Sequence, residues 1–318
     1  MSADTSAPAR PTRTRPSRSR RQGLQVTDRQ FATLLMVPAT VFLIIFVGWP
    51  LLSFVKDSFF DIDPVTGQRA FVALDNYAKA IGGSAFRNAA WRTAVYTVIV
   101  VFFEFCLGLA VALLFSLIGN SSRVFRTVFL YPLMIAPVVA GLLWRFLLID
   151  NFGIVNELLT RVGVLDSASD IAWLSNPDIA LFSVAIPDIW LTTSFMTLVL
   201  FAGLQNIPGD VIEAARIDGA RAPTILFRII IPLLRPVIAV ALIIRGIDAA
   251  RAFDVILIQT NGGPQNSTEV MSMLIYRTMV RFGDPGLASA MSTLYLIVMM
   301  VVASIAVLAI WKPGSEEN

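Results

Sequence analysis

The sequence predicts an all-α protein that crosses a membrane six times. Of its 318 residues, 56% are hydrophobic and only 15% are charged, whereas soluble domains carry about 25% charged residues. Six apolar stretches also recur along the chain, each long enough to cross a hydrocarbon core of about 30 Å. Because the pattern lacks the short alternating strands of a β-barrel, we expect helices. The stretches cover residues 31–55, 91–118, 125–147, 179–202, 236–258 and 287–311.

The region before the first stretch, residues 1–28, is rich in arginine. These arginines lie among Pro, Ser and Thr, a composition that cannot bury a core. We expect a disordered cytoplasmic tail whose charge fixes the topology, and binding to anionic lipid is the alternative. Residues 29–312 then form the membrane domain, and residues 313–318 form a short cytoplasmic C-terminal tail.

Basic and acidic residues fall on opposite sides of the predicted membrane. Arginines near residues 123–126 and 216–235 lie on the same side as the arginine-rich N-terminus. The connections 56–90, 148–178 and 259–286 lie on the other side and carry aspartates with fewer basic residues in each loop. Since positively charged loops stay in the cytoplasm, we expect both termini to be cytoplasmic.

The composition also excludes much familiar catalytic chemistry. Cys106 is the only cysteine and histidine is absent, which excludes disulfides within the chain, Cys/His metal sites and His-dependent triads. No glycine-rich phosphate loop followed by Lys and Ser or Thr occurs. We therefore predict no catalytic residue and no metal site. The alternative of another class is an integral-membrane enzyme for lipid-linked substrates, with Asp188 or Glu104 as a base.

The polar segment 205–235, between the fourth and fifth stretches, predicts two short helices joined by a turn. Asp218 and Gly219 supply the turn, where Gly219 can adopt a positive φ angle. Pro232 and Pro236 are expected to end the second helix and to begin the next span. Small residues in the segment permit close approach of another protein, which indicates a docking helix. A helix lying on the bilayer surface is the alternative.

A series of small and charged residues runs through this segment. Glu213-Ala214-Ala215 is followed by Asp218-Gly219-Ala220, Phe227 and Pro232. The series resembles the EAA signature of bacterial ABC-importer permeases. Residues 203–204, 207–208, 248–254 and 260–264 are similar to the carbohydrate-uptake branch of that family, and residues 152–156 with 173–174 resemble its MalF-like members.

The resemblance implies a type I ABC importer permease architecture in the bacterial inner membrane, and a transport subunit without catalytic activity. The implied partners are a second homologous permease subunit, two ATPase subunits and an extracytoplasmic solute-binding protein, with no nucleic acid. ATP and Mg would be bound by the ATPase subunits, and this chain would hold no cofactor. The positions that the resemblance assigns to ATPase coupling are Glu213, Ala214, Ala215, Asp218, Gly219 and Ala220.

The fifth stretch contains four charges of alternating sign at steps of three residues. Neighbours at that spacing on a helix are close enough to pair, and an unpaired charge at mid-membrane costs about 3 kcal/mol or more. We predict intramembrane ion pairs, with contact to the solute as the second interpretation. Glu104 in the second stretch is expected either to pair structurally or to line the route. The four charges are Arg245, Asp248, Arg251 and Asp254.

In the sugar-permease family, solute contacts come from the helices on either side of the EAA segment. The matching positions here combine polar groups with an aromatic ring, which suits a sugar with hydroxyl edges and an apolar face. Asp188 and Arg245 differ from the neutral residues expected for maltose. We therefore expect a sugar or sugar-like solute, with a polyol, glycerol phosphate or acidic sugar as alternatives. The matching positions are Asp188, Leu191, Thr192, Phe195, Arg245, Asp248 and Ala249.

Overall fold

The computed structural model describes residues 28–118, 122–150 and 152–310. Residues 1–27 and the predicted C-terminal tail lie outside the described residues. The chain divides after Leu52 into two compact units. The first unit contains α1 (Asp28–Leu43), a π-helical turn (Ile44–Gly48) and the start of α2 (Trp49–Asp57). This part of the chain is helical, as its first apolar stretch predicts.

The second unit begins with the rest of α2, which is followed by a small hairpin and a short helix. Strand β1 (Phe60–Ile62) pairs with β2 (Arg69–Phe71) in antiparallel register. In the turn between them, the Asp63 carboxylate accepts hydrogen bonds from two backbone N–H groups. These bonds stabilise the ionised carboxylate and so lower the pKa of Asp63. After α3 (Asp75–Gly82), helix α4 (Ser84–Ile118) begins seven residues before the predicted second stretch.

Helix α4 packs along α8 (Ala180–Gln205), and this pair forms the centre of the second unit. Apart from the adjacent Gly108 and Leu109, the buried residues of α4 recur at steps of three and four, which places them on one face. At Gly108, a Cβ atom would lie 2.7 Å from Cγ of Met196 and 3.1 Å from the backbone nitrogen of Thr197. Because real Cβ atoms do not approach so closely, the contact between these helices requires glycine.

The third predicted stretch forms two helices, so the prediction of one continuous span is wrong in its geometry. Helix α5 (Ser122–Leu130) continues into a 3₁₀ turn (Tyr131–Met134), and α6 (Pro137–Leu147) follows. The helical segments on either side of the break meet at 96°. Proline lacks the N–H of a continuous helix, and Ala136 before it is extended, because a proline disfavours helical conformation in the preceding residue.

The polar segment after α8 forms α9 (Gly209–Ile217), a turn, α10 (Ala222–Ile225) and a π-helical turn (Leu226–Ile230), which leads into α11 (Ile231–Ala250). The predicted stop at the two prolines is therefore wrong, because Ala222–Ala250 is one apolar helical span. In the π-helical turn, the N–H of residue 231 bonds to the carbonyl five residues earlier. This widened turn changes the hydrogen-bond register just before the first proline.

The fifth span ends at Ala250, eight residues before its predicted end. A break of three residues separates it from α12 (Asp254–Gln259). Five helices in the described part of the chain are long and apolar enough to cross a membrane, or six if the bent pair counts as one span. The remaining helices are α7 (Ile154–Arg161), α13 (Met271–Tyr276), which continues into a π-helical turn (Arg277–Arg281), and α14 (Pro285–Ile310).

Candidate functional site

Six polar side chains from three helices meet inside the second unit, and we call them the central polar cluster. Helix α4 contributes two of them from its buried face. Helix α8 contributes two that are four residues apart, and α11 contributes two that are three apart, so each pair lies on one side of its helix. The members of the central polar cluster are Tyr96, Glu104, Asp188, Thr192, Arg245 and Asp248.

Arg245 lies at the centre of the cluster and is 2% exposed. Its Nε donates to Oε2 of Glu104 and its Nη2 donates to Oε1, both at 2.7 Å. Its Nη1 donates to the carboxylate of Asp248. Glu104 is fully buried, and a two-point contact between guanidinium and carboxylate is the geometry that best compensates such burial. The pair therefore joins α4 to α11.

Asp188 and Thr192 join α8 to the same guanidinium. Oδ2 of Asp188 accepts from the Tyr96 hydroxyl at 3.0 Å, and its Oδ1 lies 3.4 Å from Nη2 of Arg245. Oγ1 of Thr192 accepts from Nη2 of Arg245 at 3.1 Å. The side chain of Asp188 is 15% exposed and that of Asp248 is 55% exposed. These two carboxylates are thus the parts of the cluster nearest to open space.

A cavity of about 340 Å³ opens beside the cluster, and we call it the inner cavity. It lies between the start of α6, the middle of α8 and the break between α11 and α12. Three carboxylates and one guanidinium face it, so its formal charge is negative. Its lining includes Asp188, Leu191, Thr192, Asp248, Arg251 and Asp254.

Helix α9 and the turn after it form a second exposed feature. No residue of α9 is buried, and Ile217 is 81% exposed. Gly219 has a φ of +79°, which agrees with the predicted turn and which side chains other than glycine rarely adopt. Glu213 and Asp218 are exposed, whereas Ala215 is half-buried. The helix therefore offers charged and apolar groups to another chain.

The family model described as "binding-protein-dependent transport system inner membrane component" matches residues 17–311. The chain belongs to this family. Membership confirms the predicted fold class, a helical multi-pass membrane protein, and the predicted role as a non-catalytic transport subunit of an ABC importer.

Relatives with assigned names align with most of the permease. It is 35% identical over 283 residues to the sulfoquinovosyl glycerol transport system permease protein SmoG of Agrobacterium fabrum, covering 89% of this chain and 91% of SmoG. It is 33% identical over 307 residues to the trehalose transport system permease protein SugA of Mycobacterium tuberculosis, covering 94% and 95%. The trehalose/maltose transport system permease protein MalF of Thermococcus litoralis is 33% identical over 277 residues, covering 87% and 92%.

A solved structure shares the fold. The permease superposes on a chain of a bacterial ABC transporter involved in the import of the acidic polysaccharide alginate with a TM-score of 0.75. The match covers 89% of this chain and 96% of the other, at 22% identity. At this identity, the likeness supports the architecture alone.

The positions assigned to solute contact from the sequence divide into two groups in the permease. Four of them line the inner cavity, namely Asp188, Leu191, Thr192 and Asp248. Arg245 and Ala249 are each 2% exposed, and Phe195 is half-buried; none of these three is among the residues that line the inner cavity.

The four charges of the fifth stretch do not share one helix, because α11 ends before Arg251. Arg245 pairs with Asp248, and Nη2 of Arg251 lies 3.4 Å from Oδ1 of the same carboxylate. Asp254 lies beyond the break, on α12 and on the wall of the inner cavity. A helical spacing rule cannot show such a break, since no proline or glycine marks it.

Sequence reasoning did not find Tyr96 as a member of the cluster. Its position on the buried stripe of α4 was a usable signal, because Glu104 lies on the same stripe. For Glu104, the sequence left structural pairing and lining of the route open. The structure pairs it with Arg245, and the hydroxyl of Thr192, which lines the inner cavity, also donates to it. Glu104 itself is fully buried and is not among the residues that line the cavity.

Proposed function

We propose that this permease forms half of the membrane pathway of an ABC importer for an uncharged sugar or polyol, which passes along the inner cavity. The observation that carries the proposal is the position of that cavity. It lies between the helices on either side of the EAA segment, and Asp188, Thr192 and Asp248 offer hydrogen-bonding groups to it. Two relatives are named for transport of the uncharged sugars trehalose and maltose, and a third is named for sulfoquinovosyl glycerol, a sugar glycoside that carries a sulfonate.

The charges around the inner cavity favour an uncharged solute. All three nitrogens of the Arg245 guanidinium already donate to protein oxygens. The acceptors that face the cavity are carboxylate oxygens, each of which can accept a second hydrogen bond, and they form strong hydrogen bonds with hydroxyl groups. A phosphate, sulfonate or uronate would instead meet Asp188, Asp248 and Asp254, and repulsion would oppose its entry. A sugar or polyol is therefore favoured over glycerol phosphate or an acidic sugar.

The exposed surface of α9 supports a role in coupling to ATPase subunits. We propose that Glu213, Ala214, Ala215, Asp218, Gly219 and Ala220 contact an ATPase subunit that binds ATP and Mg. Two such subunits, a second homologous permease and an extracytoplasmic solute-binding protein would complete the importer. The basic residues near α9 support the proposal that α9 and both termini lie on the cytoplasmic side of the inner membrane.

An enzyme for lipid-linked substrates has little support among the described residues. Glu104, one candidate base, is fully buried and paired with Arg245. A base needs to reach the proton that it abstracts. Asp188 does reach the inner cavity, yet the family to which the chain belongs consists of transport components.

Reconstitution of the complete importer tests the proposal. The permease would be coexpressed with its partner permease, ATPase and binding protein, purified and placed in proteoliposomes. We expect ATP-dependent uptake from a panel that contains maltose, trehalose, sorbitol, glycerol 3-phosphate and sulfoquinovosyl glycerol, with an uncharged member preferred. Concentrative uptake by this chain alone under an ion gradient would contradict the proposal, and so would preference for an anionic member.

A further inference from the structure

A second cavity, of about 430 Å³, lies further along α6 and α12, two of the helices that line the inner cavity, and we call it the outer cavity. Helix α6 lines the inner cavity with Pro137 and the outer cavity with Arg145. Helix α12 does the same with Val255 and Gln259. At 1.5 Å per residue, the two linings are roughly 12 Å apart along α6 and roughly 6 Å apart along α12. The cavities therefore follow one another along the same two helices.

Gln259 is the clearest indication of a ligand site in the outer cavity. It is 4% exposed, and its Nε2 donates to the carbonyl of Val184 at 3.4 Å. Its Oε1 is buried and has no hydrogen-bond partner among the described residues. A buried amide oxygen without a donor costs about 1–3 kcal/mol. A hydroxyl group in the cavity that Gln259 lines would supply the donor.

The other polar groups of the outer cavity are held in place by the backbone. Nη1 of Arg145 donates to the carbonyl of Ile258 at 2.9 Å. Oδ1 of Asp150 accepts from the N–H of Leu174 at 3.3 Å. One guanidinium and one carboxylate give the lining no net formal charge. Planar polar groups of this kind donate and accept in pairs, as the vicinal hydroxyls of a sugar require.

The walls of the outer cavity are fixed by buried hydrogen bonds. Asn156 is fully buried, and its Nδ2 donates to three backbone carbonyls in the loop 148–178. In the segment after α12 that also lines the cavity, Oγ1 of Thr260 lies 2.7 Å from Oγ1 of Thr268, which donates to the carbonyl of Gly263. A rigid polar recess within the size range of small-molecule sites, about 300–1,000 Å³, is suited to a solute.

From these observations we infer that the outer cavity is a binding site for an uncharged sugar, which the solute occupies before it reaches the inner cavity. The inference rests on the proposed function and on the proposed orientation, which puts the loops 148–178 and 259–286 outside the cell. It assigns Gln259 as a ligand of a sugar hydroxyl, with Arg145 and Asp150 as further hydrogen-bonding groups.

Protection of an introduced cysteine tests this site directly. Cys106 is the only cysteine, so Cys106→Ser gives a background without thiols in this chain. Ser175 is exposed and lines the outer cavity, and Ser175→Cys would place a thiol there. The measurement uses the purified complex of both permeases and the ATPase subunits, without the binding protein. We expect the panel sugar that the importer takes up best to slow maleimide labelling several-fold. Betaine at the same concentration should have no effect.

A matched variant and a second substitution separate the possible outcomes. Ser169 lies in the same loop, is exposed and does not line the cavity. Sugar should therefore not change the labelling of a Ser169→Cys variant. Adding Gln259→Leu to the Ser175→Cys variant should abolish the protection. If the wild-type complex imports a sugar but sugar does not slow labelling at position 175, the outer site is refuted and the proposed function stands. Equal protection at both positions would also overturn the site, whereas failure of the wild-type complex to import any panel sugar would overturn the function.

The binding protein offers one competing occupant. Labelling at position 175 could be slowed by the binding protein in the absence of sugar and not by sugar alone. That result would identify the outer cavity as a protein-docking surface and refute the inference. Gln259→Leu should also raise the half-saturating sugar concentration for uptake, while the affinity of the complex for the binding protein stays unchanged.

Discussion

Arg245 and Glu104 form a two-point contact across two membrane helices, with Nε to Oε2 and Nη2 to Oε1 both at 2.7 Å. The two residues are 141 positions apart in sequence, and both are almost completely buried. In the buried interior, each charge is stabilised by the other, because neither side chain is hydrated there. The contact thereby makes the association of α4 with α11 sensitive to a single side chain.

Glu104→Leu should destabilise the complex strongly, because it leaves Arg245 buried with fewer acceptors. We expect a loss of about 3–5 kcal/mol, seen as a lower thermal unfolding midpoint of the purified importer. The double variant Glu104→Leu with Arg245→Met should be more stable than Glu104→Leu alone, since it removes both charges. A double variant that loses the sum of the two single effects would show that the pair has no coupling.

Gly108→Ala should destabilise the packing of α4 on α8. The added Cβ would lie 2.7 Å from Cγ of Met196 and 3.1 Å from a backbone nitrogen, and overpacking of this kind costs about 1–3 kcal/mol. Gly246→Ala on α11 is the matched control, because a Cβ there meets nothing within 4 Å. The thermal unfolding midpoint should fall for the first variant only, and equal midpoints would disprove the close approach.

Asp188→Asn should raise the half-saturating solute concentration for uptake, because a neutral amide is a weaker acceptor for hydroxyl groups than a carboxylate. Assembly should persist, since the amide retains the shape of the side chain. Asp178→Asn is a suitable control, because Asp178 is exposed and precedes the same helix.

Arg245→Ala is expected to abolish uptake because the complex becomes unstable. A stable Arg245→Ala complex that takes up solute with an altered preference would instead favour direct contact between Arg245 and the solute.

Gly219→Leu should lower uptake per ATP hydrolysed while leaving membrane insertion intact. The φ of +79° at Gly219 disfavours a leucine by roughly 1–2 kcal/mol. In the proposed docking of α9 on an ATPase subunit, the leucine side chain would also stand between the two chains. Gly219→Asn tolerates the same φ angle and should retain more coupling. Parallel measurements of ATP hydrolysis and uptake in proteoliposomes test this, and wild-type coupling in the leucine variant would refute a close contact at the turn.

Hydrophobic length alone determined that this chain is a helical membrane protein, and the EAA series in 213–232 indicated its family. Both are local properties of the sequence. An apolar run of about 20 residues is long enough to cross the hydrocarbon core as a helix and is stable there. The turn at Gly219 depends on one residue without a Cβ atom. These features could be predicted because no distant part of the chain changes them.

Tertiary structure alone decided which polar groups meet. It placed Glu104 beside Arg245 and left Asp188 at the inner cavity. The spacing in the fifth stretch could indicate only pairs within one helix, such as Arg245 with Asp248. The tertiary structure also brought Gln259 within reach of Val184 on α8 and left the amide oxygen without a partner. The physical reason is that burial and pairing depend on distances between helices, and those distances are fixed by packing at positions such as Gly108, not by spacing along the chain.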